Sequence, residues 1–289
     1  MGGAAQGLLP GLGCLSVSDI LERALLSGAD FEVIPLERVL DKTSSIEPGS
    51  TVSVTASPSR GMSPTLDLVI ELQTRGFRAV PHLSARTIEN RGDLASIIKR
   101  LDHGGVGQVF VTGGDGRPHG DYYDALSLLE DMATIGHPFL EVGITGYPEG
   151  HPVISPDRLR QSLLEKQALA TYVVTQMCFS PEAIVEWITS TRADGVNLPI
   201  KVGVPGAVDP ARLLSIGARI GVGDSMRFLA KNRGSILGML RPGRYQPDRI
   251  VGPLARLGEG LGMTGVHIFT FNQVEPTVAW HREAMSRVT

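Results

Sequence analysis

Phe31-Glu-Val-Ile-Pro35 is a short apolar run with a carboxylate in its middle. Phe, Val and Ile favour extended backbone, and Pro35 closes the run, so the stretch reads as a buried strand. Glu32 occupies a position where such a strand normally carries an apolar side chain. A buried unpaired charge is very costly, so this carboxylate has to be neutralised, paired or used. Glu32 is therefore the first candidate for chemistry.

Seven further runs of the same kind follow, at 51–56, 78–82, 108–112, 140–145, 172–176, 200–204 and 266–271. They are rich in Val, Ile and Phe and are bounded by Gly, Pro or polar residues. Helical patterns separate them, at 64–75, 85–103, 122–135, 156–170, 181–193 and 210–220. In 64–75, for example, Leu66, Leu68, Val69 and Leu72 recur at helical spacing. Proline opens several of these segments, as suits a first helical turn. Strand then helix, repeated about eight times without a hairpin signal, predicts an α/β fold closed into a (β/α)8 TIM barrel. The span 216–260 is too long for one crossover and is expected to hold extra helices, including 225–231 and 247–261, between strands 7 and 8. An open doubly wound sheet is the competing fold, weakened by the absence of a Gly-x-Gly-x-x-Gly turn after the first strand.

The chain has 289 residues, 42% of them hydrophobic and 20% charged, enough for one large core. A single domain over 16–289 is expected, preceded by a flexible lead-in over 1–15. The net charge of −3 comes with no basic tract, so nucleic acid is not an expected partner. No apolar stretch reaches the ~18 residues of a membrane span, and the N-terminus lacks the basic region of a signal peptide. Cys14 and Cys178 are too few for a disulfide framework and read as reduced thiols of a cytoplasmic protein.

In a barrel, active sites gather at the C-terminal ends of the strands. Polar residues recur there: Thr55-Ala-Ser57, Pro81-His82, Thr112-Gly-Gly-Asp115, Thr145-Gly-Tyr147-Pro-Glu149-Gly-His151, Thr175-Gln176 and Thr270-Phe-Asn272-Gln273. Each has a structural reading beside the functional one. His82 reads equally as a core histidine with satisfied hydrogen bonds. Gly113-Gly114-Asp115-Gly116 suits a tight turn in which Gly supplies positive φ, and Tyr147–His151 suits a surface turn. Gln176 is harder to set aside, because a buried amide needs partners for two donors and an acceptor. Glu149 and His151 do not have metal-ligand spacing, and no metal site is expected. There is no Gly-x-Ser-x-Gly elbow and no P-loop.

Taken in order, these segments resemble the methylenetetrahydrofolate reductase family. The resemblance rests on Phe31-Glu-Val-Ile-Pro35, Val52-Ser-Val-Thr55, Pro81-His-Leu83, Gly114-Asp115, Tyr147-Pro-Glu-Gly-His-Pro152, Thr175-Gln176 and His267-Ile-Phe-Thr-Phe-Asn272. It implies the same eight-stranded barrel and the reduction of 5,10-methylenetetrahydrofolate to 5-methyltetrahydrofolate. By position Glu32 is the family's general acid, which opens the five-membered ring to an iminium. A donor at neutral pH has to hold its proton, and burial in an apolar strand favours the uncharged carboxyl. The resemblance places Asp115 and Gln176 at the pterin, Phe269 and Gln273 at the folate, and Thr55, His82, Tyr123, Tyr147 and His151 along the cofactor.

The chain departs from the family where FAD is held. The family's Arg-Gly-Asp after strand 4 is Gly113-Gly114-Asp115 here. Its Asp for the ribose and Lys for the pyrophosphate fall on Arg158 and Glu165, and its Ala-Gly-Ala becomes Ala168-Leu-Ala170. Exchanging Lys for Glu reverses the charge beside a pyrophosphate. Lys166 supplies the cation only if the helix slips by one residue. On the folate side, Gln273 stands where the family has Arg, and Phe269 where it has Tyr. These changes point to a flavin-free reductase, with FAD absent or weakly bound, in which NADH or NADPH hands its hydride directly to the folate. An FAD-dependent reductase with altered contacts and a non-catalytic folate-binding barrel are the alternatives.

Overall fold

The computed structural model describes residues 16–56, 60–115, 117–209 and 245–288. Eight parallel strands form a closed barrel in sequence order. They are β1 (Asp30–Val33), β2 (Thr51–Val54), β3 (Arg78–Ser84), β4 (Gln108–Thr112), β5 (Glu141–Gly146), β6 (Tyr172–Thr175), β7 (Ile200–Pro205) and β8 (Met263–Phe269). The barrel closes through β1 and β8, with Asp30 opposite His267 and Glu32 opposite Phe269. All eight expected strands are present. The lead-in, Cys14, Ser57 and the expected helices at 210–220 and 225–231 lie outside the described residues.

The helices are α1 (Val17–Ser27), α2 (Val39–Thr43), α3 (Ser63–Thr74), α4 (Arg91–His103), α5 (Ala125–Ile135), α6 (Pro156–Lys166), α7 (Pro181–Ala193), α8 (Asp248–Leu257) and α9 (Val274–Arg287). Five of them, α1 and α4 to α7, start at side-chain caps that satisfy the unpaired N–H groups of a first turn. Ser16 and Asp19 form a capping box on α1. Asn90, Asp124, Ser155 and Ser180 cap α4, α5, α6 and α7. The segment 85–103 is consequently two pieces, a 3₁₀ turn at Ala85–Thr87 and then α4, because the Asn90 side chain restarts the helix. The sequence pattern did not single out α1 and α9. α1 buries Leu25 and Leu26 and packs against α8 and β8, and α9 opens with Pro276 in its first turn.

Alternation along the strands splits the buried side chains into two sets. Outward residues such as Phe31, Val33, Val52, Val109, Ile144 and Val202 join the large core between sheet and helices. Inside the barrel a smaller apolar set, Val80, Phe110, Tyr172 and Val174, forms a cluster of its own. Inward Gly143 makes room for it, since a Cβ there would lie 2.4 Å from the Tyr172 ring. Five further interior positions are polar and buried: Asp30, Glu32, Ser53, His82 and His267. A register shift between β7 and β8 falls at Ile200/Lys201. The extra residue, Thr264, is on β8; β7 runs in regular register with β6, so Lys201 faces the interior opposite Val174 and bonds Asp30.

Candidate active site

Glu32 lies inside the barrel, one residue before the end of β1. Its Oε2 is 3.1 Å from His267 Nε2 on β8 and 3.8 Å from His82 Nε2 on β3. The Ser53 hydroxyl is 2.8 Å from that same His82 nitrogen. Behind His267 stands Asp30, two residues before Glu32 and on the same face of β1. Asp30 Oδ2 is 3.9 Å from His267 Nδ1, which has no hydrogen-bond partner among the described residues. Both Asp30 oxygens accept from Lys201 Nζ, at 2.8 and 2.7 Å, and the ammonium lies 5.5 Å from the centre of the Tyr172 ring.

The two histidines carry different charges for reasons visible in this geometry. Burial pushes the His82 pKa down to about 4; Glu32 opposes that shift and His267 adds to it. Burial also disfavours a charged His267, but Asp30 and Glu32 together outweigh it and hold the pKa up at about 9. At neutral pH His82 is therefore uncharged and His267 is an imidazolium. The interior then holds two carboxylates against Lys201 and His267, a balanced set, as burial requires. The sign of the pH dependence follows. His267 stabilises the fold fully below its ordinary pKa of about 6.5, and that contribution is lost as pH rises through about 9.

This setting corrects one expectation. Glu32 is not a carboxyl isolated among apolar groups; it is paired with a cation. Glu32, His82 and His267 each aim an atom into one space, all within 4.8 Å of one another. That spacing is also one a metal ion could use; in this structure Nε2 of His267 is bonded to Glu32 and that of His82 to Ser53. The chemistry this arrangement supports is proton exchange.

Aromatic rings wall the cluster. His82 packs edge-on to Phe110, and His267 edge-on to Phe269, which stacks on Phe271. Beyond the strand ends the backbone is unusual. Phe271 and Asn272 both have positive φ, 48° and 59°, and strain of this kind gathers at functional sites. Asn272 uses it to staple β1 to β8: its side chain accepts from Ile34 N–H at 2.8 Å and donates to Ile34 C=O at 2.9 Å. Asn272 is thereby accounted for structurally.

The other expected residues spread around the rim. Thr55 is half-buried after β2, its carbonyl bonded by Thr65. Asp115 is exposed after β4. The turn before it needs glycine, because Gly114 has φ +84° and a Cβ there would collide with Ser84 Oγ. Tyr147 and His151 touch edge-to-face after β5, ring centroids 5.3 Å apart. Burial raises the Tyr147 pKa and lowers that of His151, and Asp115 acts electrostatically on both. Gln176 is half-buried and spends its amide oxygen on the Met177 N–H. Gln273 accepts from Asp209 N–H at 3.3 Å. Tyr123 is 68% exposed and offers its carbonyl to Arg86. The structure thus gathers Glu32, His82 and Phe269 in one cluster and Asp115, Tyr147 and His151 in another. Asp30, Lys201 and His267 were missed as site residues. The Asp30-Phe-Glu32 alternation was the available signal, since residues two apart share a strand face.

On α6, Arg158 and Glu165 lie two turns apart and pair with each other at 3.0 Å. Lys166 is on the buried side of that helix, 5% exposed, and burial pulls its pKa down to about 8 against the pull of Asp124. A cleft of roughly 430 Å³ opens between α6 and α7, with Tyr147, Arg160, Trp187 and Asp194 in its lining. It includes none of the Glu32 cluster.

The fold is thus a closed (β/α)8 barrel with a buried carboxylate–imidazole pair inside its wall. The family profile described as methylenetetrahydrofolate reductase matches residues 34–208, more than half of the chain. The chain belongs to the methylenetetrahydrofolate reductase family. A Schizosaccharomyces pombe protein, methylenetetrahydrofolate reductase 1, is 34% identical over 68 residues, which is 22% of this chain and 11% of the yeast protein. The match therefore spans about a tenth of that relative's length. Among solved structures, an uncharacterized Clostridium thermocellum protein described as binding two copies of 5-methyl-5,6,7,8-tetrahydrofolic acid superposes with a TM-score of 0.60. It is 11% identical, over 92% of this chain and 99% of that one. A GH18 chitinase from Pseudoalteromonas aurantia superposes at 0.51, also 11% identical, over 90% and 99%. At that identity both support the fold alone. Among the described residues no helix is long and apolar enough to cross a membrane.

Proposed function

We propose that this chain reduces 5,10-methylenetetrahydrofolate to 5-methyltetrahydrofolate with NAD(P)H, by direct hydride transfer and without a flavin relay. The observation that carries the acid chemistry is Glu32 held 3.1 Å from a histidine that is charged at neutral pH. Family membership supports the substrate class. Glu32 protonates the bridging amine, the C–N bond opens, and an exocyclic methylene iminium forms. Hydride from C4 of the nicotinamide adds to that carbon. The iminium nitrogen takes the electron pair, and a methyl group and NAD(P)⁺ result. The protein supplies orientation, the proton and exclusion of water. Asp115 and Gln176 face the pterin in this reading, and Phe269 and Gln273 the rest of the folate.

Support for the flavin-free part comes from α6. The two positions the resemblance assigns to the FAD ribose and pyrophosphate hold Arg158 and Glu165, which are tied to each other. An anion at the pyrophosphate position does not fit that group. The test is the visible spectrum of the purified protein, followed by initial-rate kinetics. The proposal expects no flavin peak and intersecting double-reciprocal lines for a ternary complex. A flavin band surviving gel filtration, or ping-pong kinetics, rejects direct transfer. Folate binding without any NAD(P)H oxidation rejects catalysis.

A further inference from the structure

Glu32 sits one residue from the end of β1 with a charged partner behind it, not in front of it. Four inward side chains form a line: Lys201 Nζ to Asp30 at 2.7 Å, Asp30 to His267 Nδ1 at 3.9 Å, and His267 Nε2 to Glu32 at 3.1 Å. Three of the four are less than a tenth exposed, and Lys201 is 17% exposed. Every member comes from β1, β7 or β8, the strands at the barrel's closure. The groups facing His267 are Asp30 and Glu32 from β1, His82 from β3, Tyr172 from β6 and Lys201 from β7. Of these, His82 and Tyr172 are held neutral by burial.

We infer that His267 supplies the proton that Glu32 delivers, and that the Asp30–Lys201 pair sets how firmly His267 holds it. The inference rests on the reading of Glu32 as the acid. In the resting site the proton is on Nε2. The Nε2–H bond breaks as an O–H bond forms on Glu32 Oε2, leaving neutral imidazole and a neutral carboxyl. Rotation about Cγ–Cδ turns that O–H toward the substrate. The O–H bond breaks and an N–H bond forms on the bridging amine, leaving Glu32 as carboxylate. One proton from water recharges the pair after product leaves. Asp30 favours the charged ring. Lys201, by pairing with Asp30, weakens that effect, so the proton is not held beyond use. His267 is thus a positioning residue that acts through Glu32.

The two halves of the Asp30–Lys201 pair act on His267 with opposite sign, which separates this role from simple support of the fold. Turnover in the wild type falls as pH rises through about 9, where His267 empties. Asp30→Asn removes an anion and frees a cation, so the limb moves down by about one pH unit or more. Lys201→Met frees the anion, and the limb moves up. The double variant buries no lone charge and falls between Asp30→Asn and the wild type. It keeps the order testable if Lys201→Met does not fold. The experiment measures the pH profile of kcat with methylenetetrahydrofolate. In parallel it measures the ring-nitrogen NMR titration of His267, assigned by its absence in His267→Gln. The expected order of both midpoints is Asp30→Asn, double variant, wild type, Lys201→Met. A kinetic limb that stays fixed while the NMR midpoint moves overturns the proton supply. NMR midpoints that do not follow the order overturn the role of the pair. A correct NMR order in a wild type that reduces no methylenetetrahydrofolate overturns the functional reading instead.

Discussion

On the β1 side of the barrel, Asp30, Glu32 and His267 are strand residues with less than a tenth of their surface exposed, and each charged atom has an opposite charge within 4 Å. Across the mouth, Asp115, Tyr123, Tyr147 and His151 stand on the loops after β4 and β5, and Arg158 pairs with Glu165 at a half-exposed helix surface. Groups on strands are held by neighbours on both sides and by the closure of the sheet. Groups on loops tolerate replacement with small cost. In the function proposed above, this contrast accounts for an acid held on a strand beside cofactor positions that differ from the family's. Proton chemistry needs a fixed, dry setting, and dinucleotide recognition can be re-sited among loops.

Substitutions on the two sides should differ in size accordingly. Glu32→Gln keeps the shape and removes the proton, so turnover should fall about 10²–10⁴-fold with nucleotide binding retained. A kcat within a few-fold of wild type removes Glu32 from the mechanism. Lys201→Met removes the closer counter-charge of buried Asp30 and leaves it only His267 at 3.9 Å, and urea titration should register a loss of about 3–5 kcal/mol. The double change Asp30→Asn with Lys201→Met should lose much less, and an equal loss shows that the pair is not the source. Asn272→Ala strips the Ile34 N–H of its partner, leaves the Ile34 C=O with only the Leu36 N–H, and should cost about 1–3 kcal/mol. Arg158→Ala, on the other side, should move stability by less than about 1 kcal/mol. A cost as large as that of Lys201→Met erases the contrast between the sides.

The barrel was legible because eight Val- and Ile-rich runs alternate with helical spacing, and the strands fall on them. Glu32 was legible because its own neighbours, Phe31 and Val33, make it anomalous. Its partner was not. His267 is 235 residues away in the chain, and no periodicity within one strand reports which strand closes a barrel. Lys201 was hidden for another reason. It follows Ile200 at the start of β7, where a lysine reads as a solvated end, and only its register opposite Val174 of β6 shows that it faces the barrel interior. α1 was overlooked although Ser16 and Asp19 form its capping box. The rim residues were recovered as positions, but loop conformation decides which of them converge.

The central claim is that hydride passes from nicotinamide to folate carbon with nothing between. It is tested most directly by running the reaction with NAD(P)H deuterated at the transferring C4 position and analysing the product by mass spectrometry. Direct transfer predicts one deuterium in the methyl group of every product molecule formed from labelled donor, in ordinary water. A flavin relay would carry the hydride as an N5–H that exchanges with solvent, and a methyl group that has lost the label would contradict the account.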